Sequence, residues 1–163
     1  MTYLDTSALA KWYLPEEGSE EVEGYIRDSC PLSISLLTKV EMCALVARRC
    51  RLDDLDAETK GKVMATFEGD IVAGHLQLVP HTVDAFLAAE SLLGVHPEIA
   101  LTTLDALHLG IMVSAGIAGL ATADNVLAAG CREDRNRVPR VPEPATAGGM
   151  KLGATPSKLR PME

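Results

Sequence analysis

The sequence predicts an α/β domain of three layers, α/β/α, with a mostly parallel central sheet wrapped by helices. Two observations predict it. Short apolar runs and longer helical patterns follow one another in the order strand, helices, strand, helices, strand, helices, strand, helix, and that alternation builds parallel sheets through helical crossovers. The 163 residues also suffice for one ordinary core without disulfide or metal staples, and no internal repeat divides them.

Met1 to Leu4 is a short apolar strand that runs directly into Asp5, Thr6 and Ser7, and a helix carrying Ala8, Leu9, Trp12 and Tyr13 follows until Pro15 stops it. Trp12 and Tyr13 are expected to pack. Ser19 and the acids after it open a second helix with Val22, Tyr25 and Ile26 as its apolar stripe. Leu32 to Leu36 alternates apolar with small polar residues, the pattern of a second strand. Thr38 to Leu52 reads as a helix with Val40, Cys43, Ala44 and Ala47 on its apolar side and Arg48, Arg49 and Arg51 at its carboxyl end, where the helix dipole favours cations.

Asp53 to Asp56 breaks the chain and caps a helix from about Ala57 to Gly74, and residues 75 to 80 form a third strand. Thr82 to Leu93 is then a helix that turns Val83, Phe86, Leu87 and Ala89 inward and ends at Gly94. Residues 102 to 113 are apolar apart from Asp105, His108 and small polar groups, which predicts a central, buried helix closed by Gly116. Ile117 to Thr122 is a small-residue strand, and Asp124 starts a last short helix. Val138 to Val141 offers an edge strand weakened by Pro139. The folded domain is thus expected to span residues 1–141. From Pro142 to Glu163, Pro, Gly, Ala and Thr dominate, and a disordered or extended basic tail is expected.

Charge is divided along the chain. Residues 1 to 131 hold 8 Lys and Arg against 19 Asp and Glu, and the remainder holds 7 against 4, so a body at −11 carries a tail at +3. Such a body cannot bind phosphates by charge alone unless cations change its local sign. The four cysteines, Cys30, Cys43, Cys50 and Cys131, form no Cys-x-x-Cys pair, so reduced and mostly buried thiols are expected. The amino terminus lacks the succession of a signal peptide, and no run reaches the roughly 18 to 20 apolar residues of a membrane span. A soluble, cytoplasmic protein is expected, with no membrane partner.

Four acids share one position in their elements: Asp5 after the first strand, Glu41 after the second, Asp105 in the first turn of the buried helix, and Asp124 after the last strand. In a parallel sheet those ends lie along one edge, where ligands bind, so the four acids are expected to converge. Each also has a local alternative. Thr38-x-x-Glu41 and Thr102-x-x-Asp105 match a capping box, and Asp5 and Asp124 stand where helix caps stand. Converging carboxylates repel one another and favour a cation among them. Mg²⁺ or Mn²⁺, which takes carboxylate, water and phosphate oxygens, answers that need and activates water on a phosphodiester.

Tyr3-Leu4-Asp5-Thr6-Ser7-Ala8-Leu9, Lys39-Val40-Glu41, Thr103-Leu104-Asp105-Ala106-Leu107-His108-Leu109 and Leu120-Ala121-Thr122-Ala123-Asp124 together resemble the successive motifs of the PIN-domain ribonucleases, particularly VapC-like toxins of type II toxin-antitoxin pairs. Each motif is common alone; four in this order over residues 1 to about 130 are specific. The resemblance implies a metal-dependent endoribonuclease, often a homodimer, that acts on RNA and is held inactive by a small antitoxin. It assigns Asp5, Glu41, Asp105 and Asp124 as metal-binding acids, with Thr6 or Ser7 and Thr122 as hydroxyls beside them. Ser7 is divided between supporting a metal-bound water and capping. His108 reads as a satisfied core histidine outside the site. Thr102 stands where many relatives carry a basic residue, which leaves Arg48, Arg49, Arg51, Arg132, Arg135, Arg137 and Arg140 as the available phosphate contacts.

Two other classes remain. A catalytically weak RNA-binding or protein-interaction module would keep the fold without the chemistry. A phosphatase would use Asp5 as nucleophile, but such enzymes carry a second acid two residues on, where this chain has Ser7.

Overall fold

A computed structural model describes residues 1–14, 18–29 and 31–133, the side chain of Glu133 excepted. Four strands, β1 (Thr2–Leu4), β2 (Leu32–Ser35), β3 (Leu76–Val79) and β4 (Gly119–Ala121), pair in the order β3-β2-β1-β4, and every pairing is parallel. The register sets Tyr3 beside Ser33 of β2 and Leu120 of β4. Successive side chains of a strand point to opposite faces, so each strand feeds two cores.

Leu4, Leu32, Ile34, Leu76 and Ala121 face one core. It is covered by α1 (Thr6–Tyr13), α2 (Ser19–Asp28), α3 (Leu36–Arg51) and α4 (Ala57–Val72). Tyr3, Val79 and Leu120 face the other, beneath α5 (Val83–Val95), α6 (Thr103–Ser114) and α7 (Asn125–Glu133). The three layers predicted from the sequence are present. Tyr13 is buried and Trp12 packs against the first core, also as expected.

α6 lies against α5 so closely that a Cβ on Gly110 would stand 2.2 Å from the carbonyl oxygen of Ala85. Only glycine permits that approach. The helix is buried along Ala106, His108, Leu109, Gly110, Ile111 and Met112, and Gly116 turns the chain after it at φ 64°. The left-handed turn delivers the chain into β4.

The apolar faces of two helices differ from expectation. On α3 the inward residues are Thr38, Met42 and Val46, while Val40 and Cys43 are exposed. The helix starts at Leu36, two residues earlier than predicted, and its capping box joins Ser35 to Thr38 instead of Thr38 to Glu41. On α5 the inward residues are Ala85, Ala89 and Leu92; Val83, Phe86 and Leu87 face outward at 76%, 53% and 57% exposure. Small residues face α6 because the helices approach so closely, and the large ones are displaced to the surface. α5 also continues through Gly94 to Val95.

Cys43 is exposed, Cys50 half-buried and Cys131 buried, all of them free thiols, so burial holds for Cys131 alone among the three. Among the described residues no helix is long and apolar enough to cross a membrane. Cys30, the proposed edge strand at Val138 to Val141 and the tail from Pro142 lie outside the described residues.

Candidate active site

The chain runs outward from β1 through β2 to β3 and then crosses back to place β4 on the other side of β1, so the strand order reverses between β1 and β4. A crevice at the carboxyl ends of β1 and β4 is the ligand-binding position of such a sheet. Asp5 stands at that end of β1. The β1 backbone pairing continues through Asp5 N–H, which donates to the Ala121 carbonyl at 3.2 Å.

Asp5 is 4% exposed. Its Oδ1 accepts from Ala8 N–H at 2.9 Å, which caps α1, and Ser7 Oγ lies 2.9 and 2.8 Å from its two oxygens. Thr122 Oγ1 donates to Oδ2 at 2.8 Å. Ser7 and Thr122 are 3.2 Å apart, Ala123 N–H donates to Ser7, and Asp124 N–H donates to Thr122. The loops after β1 and β4 are therefore tied together through Asp5. Burial pushes the Asp5 carboxyl upward, against the lowering effect of Ala8, Ser7, Thr122 and the more distant His108. Three neutral donors hold this acid without neutralising it.

Glu41 forms the second centre. Because Ser35 and Thr38 cap α3 between themselves, Glu41 is released from capping and reaches toward α6 and α1. Its Oε2 accepts from Thr6 Oγ1 at 2.5 Å and lies 2.7 Å from His108 Nε2. Burial raises the Glu41 carboxyl, but the hydrogen bonds from His108 and Thr6 and the His108 charge outweigh it and hold the group below the usual carboxylate range. Thr6 follows Asp5 directly in the chain, so the hydrogen-bonded groups around the two acids are neighbours.

Asp105 and Asp124 are half-buried and engaged locally. Asp105 Oδ2 accepts from Thr102 N–H at 2.7 Å while Thr102 Oγ1 accepts from Asp105 N–H, the predicted capping box. Asp124 Oδ1 accepts from Val126 and Leu127 N–H at 2.7 and 3.1 Å and so caps α7. Asp5 and Asp124 follow the parallel strands β1 and β4, and Glu41 is tied to Thr6, the neighbour of Asp5, while Asp105 is engaged with Thr102 at the start of α6. Among the described residues, no three of His, Cys, Asp and Glu are gathered closely enough to hold a metal ion.

His108 belongs to this network, contrary to its reading as a core histidine apart from the site. It is 3% exposed, and its Nδ1 lies 2.7 Å from the Tyr3 hydroxyl, opposite the contact to Glu41. A signal was present in the sequence. A histidine one turn after Asp105 on an otherwise apolar helix needs polar partners, and the nearest sheet edge carries acids. The expected phosphate contacts are less well placed: the rise of a helix, ~1.5 Å per residue, sets Arg48 to Arg51 about 10 to 15 Å beyond Glu41. Arg135, Arg137 and Arg140 lie outside the described residues.

The family model of the PIN domain matches residues 2–132. No curated protein matches the chain in sequence. Among solved structures, the chain is similar to Mycobacterium tuberculosis VapC20, described as a Sarcin-Ricin loop cleaving toxin. That likeness has a TM-score of 0.63 and 19% identity over 79% of this chain and 94% of that one. It is also similar to a chain of FitAcB from Neisseria gonorrhoeae, at TM-score 0.64 and 18% identity over 90% of this chain and 99% of that one. At these identities the two neighbours speak for the fold. The match from residue 2 to residue 132 takes in β1, α6, β4 and Asp5, Glu41, Asp105 and Asp124, and the chain belongs to the PIN-domain family.

Proposed function

We propose that the chain is a metal-dependent endoribonuclease that hydrolyses RNA phosphodiester bonds as the toxin of a toxin-antitoxin pair. The observation that carries this reading is Asp5, an acid buried at the carboxyl end of β1, beside β4, and hydrogen-bonded to the neutral donors Ala8 N–H, Ser7 and Thr122 among the described residues. Family membership supports it, and so does the toxin described for the M. tuberculosis neighbour.

The donor chemistry fits Mg²⁺ or Mn²⁺. Asp5, Glu41, Asp105 and Asp124 supply carboxylate oxygens, the ligands that hard divalent ions take. The caps use Oδ2 of Asp105 and Oδ1 of Asp124, and the second oxygen of each takes no part in them. A bound ion would lower the pKa of its water and offset charge on the leaving oxygen. The chain's own groups have separate tasks. Ser7 and Thr122 orient the Asp5 carboxylate, Thr6 orients Glu41, and the caps fix the backbone from which Asp105 and Asp124 project.

The partners follow from the same reading: single-stranded RNA as substrate, a small antitoxin over the acidic crevice, and a second copy of the chain. The outward Val83, Phe86 and Leu87 on α5 support a protein contact there. A cytoplasmic site of action accords with an RNA target. A second reading, a PIN-fold binding module without catalysis, is favoured by the lack of any three-residue metal cluster among the described residues.

Cleavage separates the two. Purified protein in Mn²⁺ is expected to cut labelled single-stranded RNA, to stop in EDTA, and to lose activity in Asp5→Asn. An active Asp5→Asn protein would overturn the site, and inactive wild-type protein that retains RNA would favour the binding module.

A further inference from the structure

The face of β2 turned toward α5 and α6 carries two serines, Ser33 and Ser35, both fully buried. Their small side chains leave room for the ring of Tyr3, the neighbouring residue of β1, which is also fully buried. The Tyr3 hydroxyl is hydrogen-bonded to Ser35 Oγ at 2.8 Å and lies 3.3 Å from Thr38 Oγ1. A phenol in a core needs such partners, and burial raises its pKa to about 12, so it remains a neutral hydroxyl.

Against this fixed hydroxyl stands His108. Its Nδ1 is 2.7 Å from the phenol oxygen, the two rings are 5.7 Å apart and tilted by 59°, and its Nε2 is 2.7 Å from Glu41 Oε2. A carboxylate only accepts, so Nε2 carries a hydrogen and donates it, whichever charge the ring holds. The polar chain thus runs from the sheet interior to the open edge through one imidazole. Both ends of that imidazole are fixed, one by a core phenol and the other by an acid of the site.

We propose that Tyr3 and His108 form a positioning pair that fixes the Glu41 carboxylate at the sheet edge, so that His108 is a working part of the site even though it does not itself touch substrate. The proposal rests on the reading of Glu41 as a site acid. Three features set it apart from ordinary core packing. The histidine sits on a helix whose other buried positions are apolar or glycine, so a polar ring there is otherwise unfavourable. Its outward nitrogen meets the one edge acid that escapes helix capping. And its inward nitrogen is held by a hydroxyl anchored to Ser35, the residue that caps α3, on which Glu41 stands. Groups that orient metal ligands in this way typically change metal affinity by about 10- to 100-fold when removed.

The test is calorimetric titration of Mn²⁺ into the metal-free, RNA-free full chain, with thermal melts recorded beside it. His108→Gln keeps an amide N–H near the Nε2 position; His108→Leu keeps bulk without a donor; Tyr3→Phe removes only the phenol oxygen. Wild-type affinity should fall at least tenfold in His108→Leu, recover to within about threefold in His108→Gln, and fall by an intermediate factor in Tyr3→Phe with its melt retained. If wild type and all three variants bind Mn²⁺ alike, the positioning role is overturned while the metal site stands. If wild type takes up no Mn²⁺, the reading of Glu41 fails and the proposal falls with it. Loss of affinity in His108→Gln as large as in His108→Leu, with melts lowered equally, would assign His108 to the core alone and also overturn the proposal.

Discussion

Asp5 and Glu41 are perturbed in opposite directions, and the difference is measurable without substrate. Burial raises the Asp5 carboxyl above its ordinary 3.8, so the folded chain holds that proton more tightly than the unfolded chain. The stability this contributes is complete below 3.8 and is lost as pH rises through the folded value. At neutral pH, Asp5→Asn should therefore raise the melting temperature of metal-free protein, since asparagine still caps α1 and carries no charge. Glu41 is lowered from 4.5, because His108 and Thr6 outweigh its burial. Its contribution is present above 4.5 and lost as pH falls through the folded value, so Glu41→Gln should lower the neutral-pH melt. Calorimetry at pH 7 reads both signs, and a lowered melt in Asp5→Asn would contradict the account of its burial. The place of Asp5 between β1 and α1, and its fitness as a cap, were legible from the strand that runs directly into a helical pattern. The sequence showed that His108 needs polar partners but not which ones, because Tyr3 and Glu41 lie 105 and 67 residues away and only the fold brings them to it.

Elements show a similar division between what local pattern reveals and what packing decides. The strand and helix order follows from alternation of apolar runs, and the α6 capping box was readable from Thr102-x-x-Asp105. Thr102→Ala should cost about 1 kcal/mol in denaturant unfolding, through loss of the side-chain cap on Asp105 N–H. The inward face of α5 was misjudged because large apolar residues normally face the core. Here the close approach at Gly110 admits only Ala85 and Ala89, so Val83, Phe86 and Leu87 turn out. Gly110→Ala would force a methyl group to within 2.2 Å of the Ala85 carbonyl oxygen. Overpacking of that kind costs about 1 to 3 kcal/mol, and a melt equal to wild type would mean that the two helices separate freely. The start of α3 was misplaced for a comparable reason: Ser35 serves as both the last residue of β2 and the cap of α3, leaving no loop for the sequence to display.

At the scale of the whole molecule, the proposed action of an acidic body on RNA requires cations at the proposed site, and the proposed partners require a protein surface elsewhere. The exposed Phe86 and its neighbours predict a homodimer in solution. Phe86→Glu should shift sedimentation equilibrium toward the monomer, and an unchanged association state would remove α5 from the interface. The parallel sheet was legible from the alternation of strands and helices, and it sets Asp5 and Asp124 after neighbouring strands that end on the same side. How near the carboxylates stand to one another depends on caps and side-chain bonds that sequence spacing does not encode. The most direct test of the central claim is the rate of single-stranded RNA cleavage measured across a Mn²⁺ titration for wild type and Asp5→Asn. The account predicts a saturable, EDTA-reversible rise in wild type and a rate at least about a hundredfold lower in the variant, the size of effect that loss of a transition-state-stabilising group produces. A wild-type rate independent of Mn²⁺, or equal curves for the two proteins, would contradict it.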